Sequence, residues 1–326
     1  MRNPLLTFAA LGLVAATSVA GCGEEEPPVR LDQEGALVVD GAQLQYLVAG
    51  SGAPIIILHG GPGIGVGYLL AELDAPGFPP EGLKWVAYDQ RGSGRSTGAE
   101  DPSKLTMDRF VEDLEAIRAA TGQERVALLG HSFGGLLALH YALKYPDRVA
   151  AMILIDPDPA SRELWSEHEE IVESRLTEED RMLMQSISTS ENWQLDPAQL
   201  EKYYLARFRA YFGKREASVR LQLGLALSVY GNFPATATAM RESLGDWDLF
   251  DELELLDTRT LIVTGDHTIF PPRAHERLRD ALPRGELVVL AGVGHFPHME
   301  DKRGFANAVN RFLNDVTADV APGLIP

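Results

Sequence analysis

The chain has 326 residues, 45% of them hydrophobic, which supplies a packed core and excludes a disordered chain. Against 29 Lys and Arg stand 47 Asp and Glu, a net charge of −18. Nucleic-acid binding requires clustered cations and is excluded as a function class, and the acidic surface reads as a device for solubility.

At the N-terminus, Arg2 precedes an apolar stretch from Leu5 to Ala16 and then small residues up to Cys22. Residues 1–21 therefore read as a signal peptide, too short for a spanning helix of about 20 apolar residues. Val19-Ala20-Gly21-Cys22 resembles the lipobox of bacterial lipoproteins, which implies acylation of Cys22, export, and anchoring to a membrane of the cell envelope. Cys22 is the only cysteine, so no intramolecular disulfide exists and lipidation accounts for the lone thiol. Residues 22–34 read as an acidic tether.

Residues 36–39 and 44–48 flank Asp40-Gly41, a hairpin signal. Residues 55–58, 85–88, 126–129, 149–155, 261–264 and 287–290 are short apolar runs, the pattern of strands covered on both faces. Helical patterns at 107–120, 136–144, 274–281 and 305–313 alternate with them, which predicts an α/β fold with a mostly parallel sheet of eight strands. From 158 to 252 the alternation gives way to helical sequence. This predicts a helical cap inserted into a core of residues 35–157 and 253–326, over the sheet edge where such folds bind ligands. Its aromatics, among them Trp165, Trp193, Tyr203, Tyr204, Phe208, Tyr211, Phe212 and Trp247, are read chiefly as the cap's own core, with pocket lining as the alternative.

Four chemical features lie along this frame. After the strand at 55–58 comes His59-Gly60-Gly61-Pro62-Gly63. After the strand at 126–129 comes Gly130-His131-Ser132-Phe133-Gly134, a G-x-S-x-G between strand and helix, the layout of a nucleophile elbow. A serine hydroxyl there requires a base. His295, in the loop Gly292-Val293-Gly294-His295-Phe296-Pro297-His298 after the final strand, is the candidate; His298 is read as a surface or cap contact. A tetrahedral oxyanion requires donors, for which the Gly61 and Phe133 N–H groups are the candidates.

These motifs, with Asp89-Gln90-Arg91-Gly92-Ser93-Gly94-Arg95-Ser96, resemble the α/β-hydrolase superfamily in order and spacing, and the first two resemble its proline iminopeptidase branch. The resemblance implies a serine hydrolase with a lid, no cofactor, and a small-molecule or short peptide substrate. Asp89 and Arg91 are read as braces beneath the site. Two departures stand out. The elbow of proline iminopeptidases is commonly Gly-Gly-Ser-Trp-Gly. Many also carry Trp-x-x-Trp-Glu in the cap, whose carboxylate binds the substrate amine. This chain has neither, and leaves Glu169, Glu170, Glu173 and Glu201 as undistinguished substitutes. The triad acid, usual in the superfamily as Gly-x-x-Asp after the penultimate strand, is replaced by Thr268 in Gly265-Asp266-His267-Thr268. Asp266, in that loop, and Asp156, at the end of the strand 149–155, are the candidate acids. Some haloalkane dehalogenases resemble the second arrangement.

The expected activity is acyl transfer through Ser132 with His295 and Asp156 or Asp266, on N-terminal residues of small peptides or amides. Carboxylesterase or lactonase activity is the alternative, and the missing carboxylate at Thr268 leaves a catalytically weak binding or sensor module as a third reading. Dehalogenase and epoxide hydrolase chemistry requires Asp in place of Ser132. His168-Glu169-Glu170 and His275-Glu276 lack a second histidine at helical spacing, so no metal site is expected.

Overall fold

The computed structural model describes residues 33–73, 82–225 and 233–319. Residues 1–21, Cys22 and most of the acidic tether lie outside the described residues. The eight strands are β1 (Glu34–Val39), β2 (Ala42–Gly50), β3 (Ala53–Leu58), β4 (Leu83–Tyr88), β5 (Val126–His131), β6 (Val149–Ile155), β7 (Thr260–Gly265) and β8 (Gly285–Leu290). They form one sheet in the order β1-β2-β4-β3-β5-β6-β7-β8. β1 and β2 pair antiparallel across Asp40 and Gly41, both at positive φ (46° and 81°), the conformation that a tight hairpin demands. β2 runs antiparallel to β4, and all later pairings are parallel.

Around the sheet lie α1 (Gly67–Leu73), α2 (Met107–Ala120) and α3 (Phe133–Lys144). Between β6 and β7 come α4 (Arg162–Ser166), α5 (His168–Arg175), α6 (Glu178–Ser188), α7 (Pro197–Phe208), α8 (Phe233–Leu244) and α9 (Phe250–Leu253). α10 (Pro272–Ala281), α11 (Pro297–Glu300) and α12 (Lys302–Asp319) complete the chain. β3, β5, β6 and β7 are buried at every position, because helices cover both faces. Alternate residues feed two cores. Ile56, Leu58, Leu128, Leu154 and Ile262 pack with α2, α3 and α10. Ile55, Ile57, Leu129, Ile153 and Val263 face the other way, onto α1 and α12. Two helices had no sequence signal: α1 follows a glycine-rich loop that masks its start, and α11 is only four residues long.

The cap helices start where side chains supply the missing acceptors. Ser161 caps α4, Thr177 and Asp180 form a reciprocal box on α6, and Asp196 with Pro197 opens α7. A third apolar cluster joins Val172, Leu176, Met184, Ala206 and Ala210 of the cap to Ile269 and Phe270 after β7. Arg175 adds hydrogen bonds to the His267 and Thr268 carbonyls at 2.6 and 2.9 Å. The cap is thus tied to the loop that follows β7.

The strand order reverses at β3, which lies between β4 and β5, so the loops after β3 and β5 diverge and open a crevice at their carboxyl ends. The β3–β5 register sets Leu58 against Gly130. The next registers set His131 against Ile155, Ile155 against Val263, and Gly265 against Leu290. The ends of β3, β5, β6, β7 and β8 therefore deliver the glycine loop, Ser132, Asp156, Thr264 and the His295 loop to one edge of the sheet.

Candidate active site

Ser132 occupies φ 55° and ψ −122°, a strained conformation outside the ordinary regions for a side-chain-bearing residue. Three glycines make room for it. A Cβ on Gly130 would lie 2.4 Å from the Gly134 carbonyl oxygen, and one on Gly134 would lie 2.2 Å from that of Leu58. A Cβ on Gly135 would meet the Pro157 side chain at 2.4 Å. The bend is held by the Ser132 N–H on the Ile155 carbonyl at 3.0 Å.

His295 Nδ1 lies 2.5 Å from Asp156 Oδ2. Asp156 is fully buried, at 0% exposure, and its remaining oxygen capacity is met locally. Thr264 donates to Oδ1, Thr268 donates to Oδ2 at 2.7 Å, and His275 Nε2 stands 3.6 Å from Oδ1. Burial pushes the Asp156 carboxyl up, but the facing His275 and His295 rings and the Thr264 hydroxyl more than offset it, leaving the group below its ordinary value. Thr268, at the position where the superfamily places its acid, thus solvates a carboxylate that comes from the neighbouring strand. Asp266 is elsewhere. Its Oδ1 accepts from His267 Nδ1 and from the Gly292 N–H, both at 2.7 Å, on the half-exposed outer side of the loop. It orders the start of the His295 loop and does not touch His295.

The backbone of that loop is fixed from three sides. The His295 N–H donates to the Tyr211 carbonyl at 2.7 Å, and the Gly294 N–H donates to Glu300 at 2.8 Å. His131 Nε2 donates to the His295 carbonyl at 2.9 Å. This assigns the His131 tautomer: Nδ1 accepts from the Tyr68 hydroxyl at 2.6 Å, and that hydroxyl accepts from the Gly60 N–H at 2.8 Å. Burial, then His295 and His298, holds His131 well below its ordinary value, as this neutral relay requires. His298 is not a surface contact. It is 1% exposed, at the second position of α11, and packed against Tyr68, His131 and Phe305. Burial, then His295, lowers it to about 3.

In the glycine loop, the Gly60 N–H serves Tyr68 and the Gly63 N–H serves Ser93 at 2.9 Å. Gly61, at φ 121°, and Phe133, the first residue of α3, keep N–H groups without a hydrogen-bond partner among the described residues. Asp89 and Arg91 brace this region. Asp89 accepts from the Val66 and Arg95 N–H groups at 2.8 and 3.0 Å. Arg91 makes a two-pronged pair with Asp113 at 2.9 and 2.6 Å, both residues 1% exposed. His59 is clamped by Gln90, whose N–H donates to its Nε2 at 2.9 Å.

A cavity of about 90 Å³ opens onto Ser132 and His295. Of the cap aromatics, Trp165, Phe208, Tyr211 and Phe233 line it, whereas Phe212 stacks on Phe296 and Trp247 is buried against Pro159, so both expected roles occur. None of the four candidate cap acids reaches it. Glu169 and Glu173 pair with Arg207 at 2.7 and 2.9 Å, Glu201 accepts from the Gly224 N–H at 3.0 Å, and Glu170 is exposed. The one carboxylate lining the cavity among the described residues is Asp158, which in the sequence marks only the start of the cap. Its Oδ1 accepts from Ser132 Oγ at 3.0 Å, and its N–H donates to the Ser132 carbonyl at 3.0 Å. The elbow hydroxyl therefore rests on Asp158 and not on His295. Burial pushes the Asp158 carboxyl up to about 6, against the opposing pull of His295 and the Ser132 hydroxyl. No cluster of three or more metal-ligating side chains occurs among the described residues.

Residues 53–302 match the family described as alpha/beta hydrolase fold. The chain belongs to that family. Among curated members it is 25% identical over 272 residues to the proline iminopeptidase of Flavobacterium johnsoniae, covering 80% of this chain and 90% of that one. It is 27% identical over 290 residues to the proline iminopeptidase of Thermoplasma volcanium, covering 86% and 96%. The crystal structure of Mycobacterium smegmatis proline iminopeptidase superposes with a TM-score of 0.64 at 23% identity, over 88% of this chain and 99% of that one. Like the α/β hydrolases it resembles, the chain is a hydrolase, and the eight-stranded sheet expected from its apolar runs is the family's fold.

Asp158 carries a testable charge. A carboxyl whose folded value lies near 6 favours the protonated folded state, so its ionisation costs stability as pH rises from the ordinary 3.8 through about 6. Asp158→Asn is expected to raise the unfolding temperature at pH 7.5 and to raise it much less at pH 4, as measured by thermal unfolding at the two pH values. An equal shift at both would remove the ionisation account.

Proposed function

We propose that this hydrolase uses Ser132 as nucleophile and releases N-terminal residues from short peptides or amides, as its proline iminopeptidase relatives are named for doing. The observation that carries this reading is the 2.5 Å contact between His295 Nδ1 and the buried Asp156, beside a serine raised on a strained bend. With Nδ1 engaged by Asp156, His295 Nε2 accepts the Ser132 proton as Oγ attacks the substrate carbonyl. The Gly61 and Phe133 N–H groups receive the oxyanion. The imidazolium, stabilised by Asp156, then protonates the leaving amine, and water releases the acyl group by the same steps.

Asp158 supports the aminopeptidase form. A free ammonium next to the scissile carbonyl finds there the one carboxylate lining the cavity among the described residues. By occupying Asp158, the ammonium releases the Ser132 hydroxyl to turn toward His295. A carboxylesterase reading uses the same nucleophile and base. It draws support from the apolar walls of Phe208, Leu223, Phe233 and Ile269, and it differs in needing no Asp158. The catalytically weak scaffold reading is disfavoured because Asp156 fills the role that Thr268 leaves open.

Kinetics on a prolyl chromogenic amide, its N-acetyl counterpart and a simple chromogenic ester test this. Asp156→Asn is expected to lower kcat by roughly 10³–10⁴-fold, and Asp266→Asn by less than about threefold. Asp158→Asn is expected to raise KM for the free-amine substrate by roughly 10–100-fold, the value of about 1.5–3 kcal/mol for a charged hydrogen bond. Turnover of the ester alone would overturn the peptidase form, and full activity in Ser132→Ala would overturn the serine mechanism.

We also propose that the protein is exported and held at a bacterial membrane by acylation of Cys22, on the strength of residues 1–22 alone. Among the described residues no helix is long and apolar enough to cross a membrane. Cys22→Ser is expected to move the protein from the membrane to the soluble fraction of a producing bacterium. Unchanged partitioning would contradict the anchor.

A further inference from the structure

Arg241 lies on α8 and lines the cavity together with Ser132, Asp158 and His295. Its Nε donates to the Ala237 carbonyl at 3.0 Å, and its guanidinium stands over the Trp165 ring at 5.1 Å from the centroid. Among the described residues its two terminal nitrogens have no hydrogen bond and no carboxylate within ion-pair distance. In this it is alone among the described arginines of the cap. Arg207 pairs with Glu169 and Glu173, Arg209 and Arg215 pair with Asp180, and Arg175 binds two carbonyls. Arg162, Arg181 and Arg220 likewise spend terminal nitrogens on carbonyl oxygens.

A half-buried guanidinium that is oriented by one backbone bond and one aromatic face, but not neutralised, is an incomplete site. Its planar fork matches a carboxylate. Asp158 does not complete it: the two interact through space without an ion pair. The cavity thus carries an acceptor of positive charge beside the nucleophile and a donor pair for negative charge on the cap. At about 90 Å³ it is far smaller than the usual ligand pocket of roughly 300–1,000 Å³.

We propose that Arg241 docks a carboxylate of the substrate, so that the cavity selects short peptides free at both ends, with Asp158 taking the ammonium. The inference rests on the proposed aminopeptidase reading for which bond is cleaved, and on Arg241 alone for recognition of the carboxylate.

The test compares two matched pairs that place the carboxylate on opposite sides of the scissile bond. One is prolyl-alanine against prolyl-alanine amide. The other is the mono-4-nitrophenyl ester of adipic acid, whose chain is too long for its own carboxylate to displace the phenolate readily, against its methyl 4-nitrophenyl diester. The wild-type protein is expected to favour prolyl-alanine over its amide by about tenfold or more in kcat/KM; a preference confined to the ester pair would overturn the selection of short peptides. Arg241→Met is expected to collapse that ratio to about one, and Arg241→Lys, which keeps the charge and loses the fork, to retain part of it. The rate of fluorophosphonate labelling at Ser132 in each variant reports whether the elbow is still assembled. Calorimetric binding of both pairs to Ser132→Ala, with and without Arg241→Met, reads the same preference without turnover. Absence of all hydrolysis with a preserved binding preference would therefore overturn the functional reading and leave the Arg241 site supported. Equal binding and equal turnover within both pairs, or a preference that survives Arg241→Met, would overturn the Arg241 site.

Discussion

A carboxylate with no access to water is stable only where donors replace its hydration, and Asp156 is such a group. Thr264, Thr268 and His295 donate to it and His275 closes its fourth side, which keeps the carboxyl ionised below its ordinary value. The rest of the site is organised around that requirement. The charge fixes the orientation of the His295 ring, and the ring's opposite nitrogen is left for the cavity. The two threonines come from the end of β7 and the loop behind it, where the superfamily commonly sets the acid itself. In this chain the buried charge lies one strand across the sheet from that position, and Thr268 there contributes a hydroxyl that holds it.

Backbone crowding supplies the second constraint. Ser132 is lifted into the crevice because the chain turns where only glycine fits on either side, and the β3 and β5 ends are in register beneath it. A hydrogen-bond relay then ties the parts together. It runs from the Gly60 N–H through the Tyr68 hydroxyl and the His131 ring to the His295 carbonyl. The glycine loop and the histidine loop, more than 200 residues apart in sequence, are spaced by one tyrosine and one histidine. His131, the variable position of the elbow motif, is thereby a structural member of the site.

Much of the fold is legible in the amino-acid sequence because buried parallel strands must be apolar at every position. Ile55-Ile56-Ile57-Leu58 and Val126-Ala127-Leu128-Leu129 announce themselves in that way. Ser132 and His295 are legible because small residues and strand ends mark their loops. The carboxylate that contacts His295 is not, since Asp156 and Asp266 both follow strands, and only strand register and side-chain direction separate a buried carboxylate from one facing solvent. Asp158 carries a fainter signal, in that Asp156-Pro157-Asp158 leaves a strand at the ligand-binding edge. Its contact with Ser132 arises only when the cap entry folds back over the elbow. Arg241 has no local signal: it stands out only once the partners of the other cap arginines are known. His298 reads as exposed because it ends a loop, and its burial arises only when the fold brings Tyr68, His131 and Phe305 around it.

The most direct measurement is the rate at which a fluorophosphonate forms an adduct on the peptide containing Ser132, followed by mass spectrometry. If the Asp156–His295 pair activates the elbow, the wild-type protein labels rapidly, His295→Ala does not label, Asp156→Asn labels slowly, and Asp266→Asn labels like the wild type. Labelling of Asp156→Asn at the wild-type rate, or an adduct at a residue other than Ser132, would contradict the account.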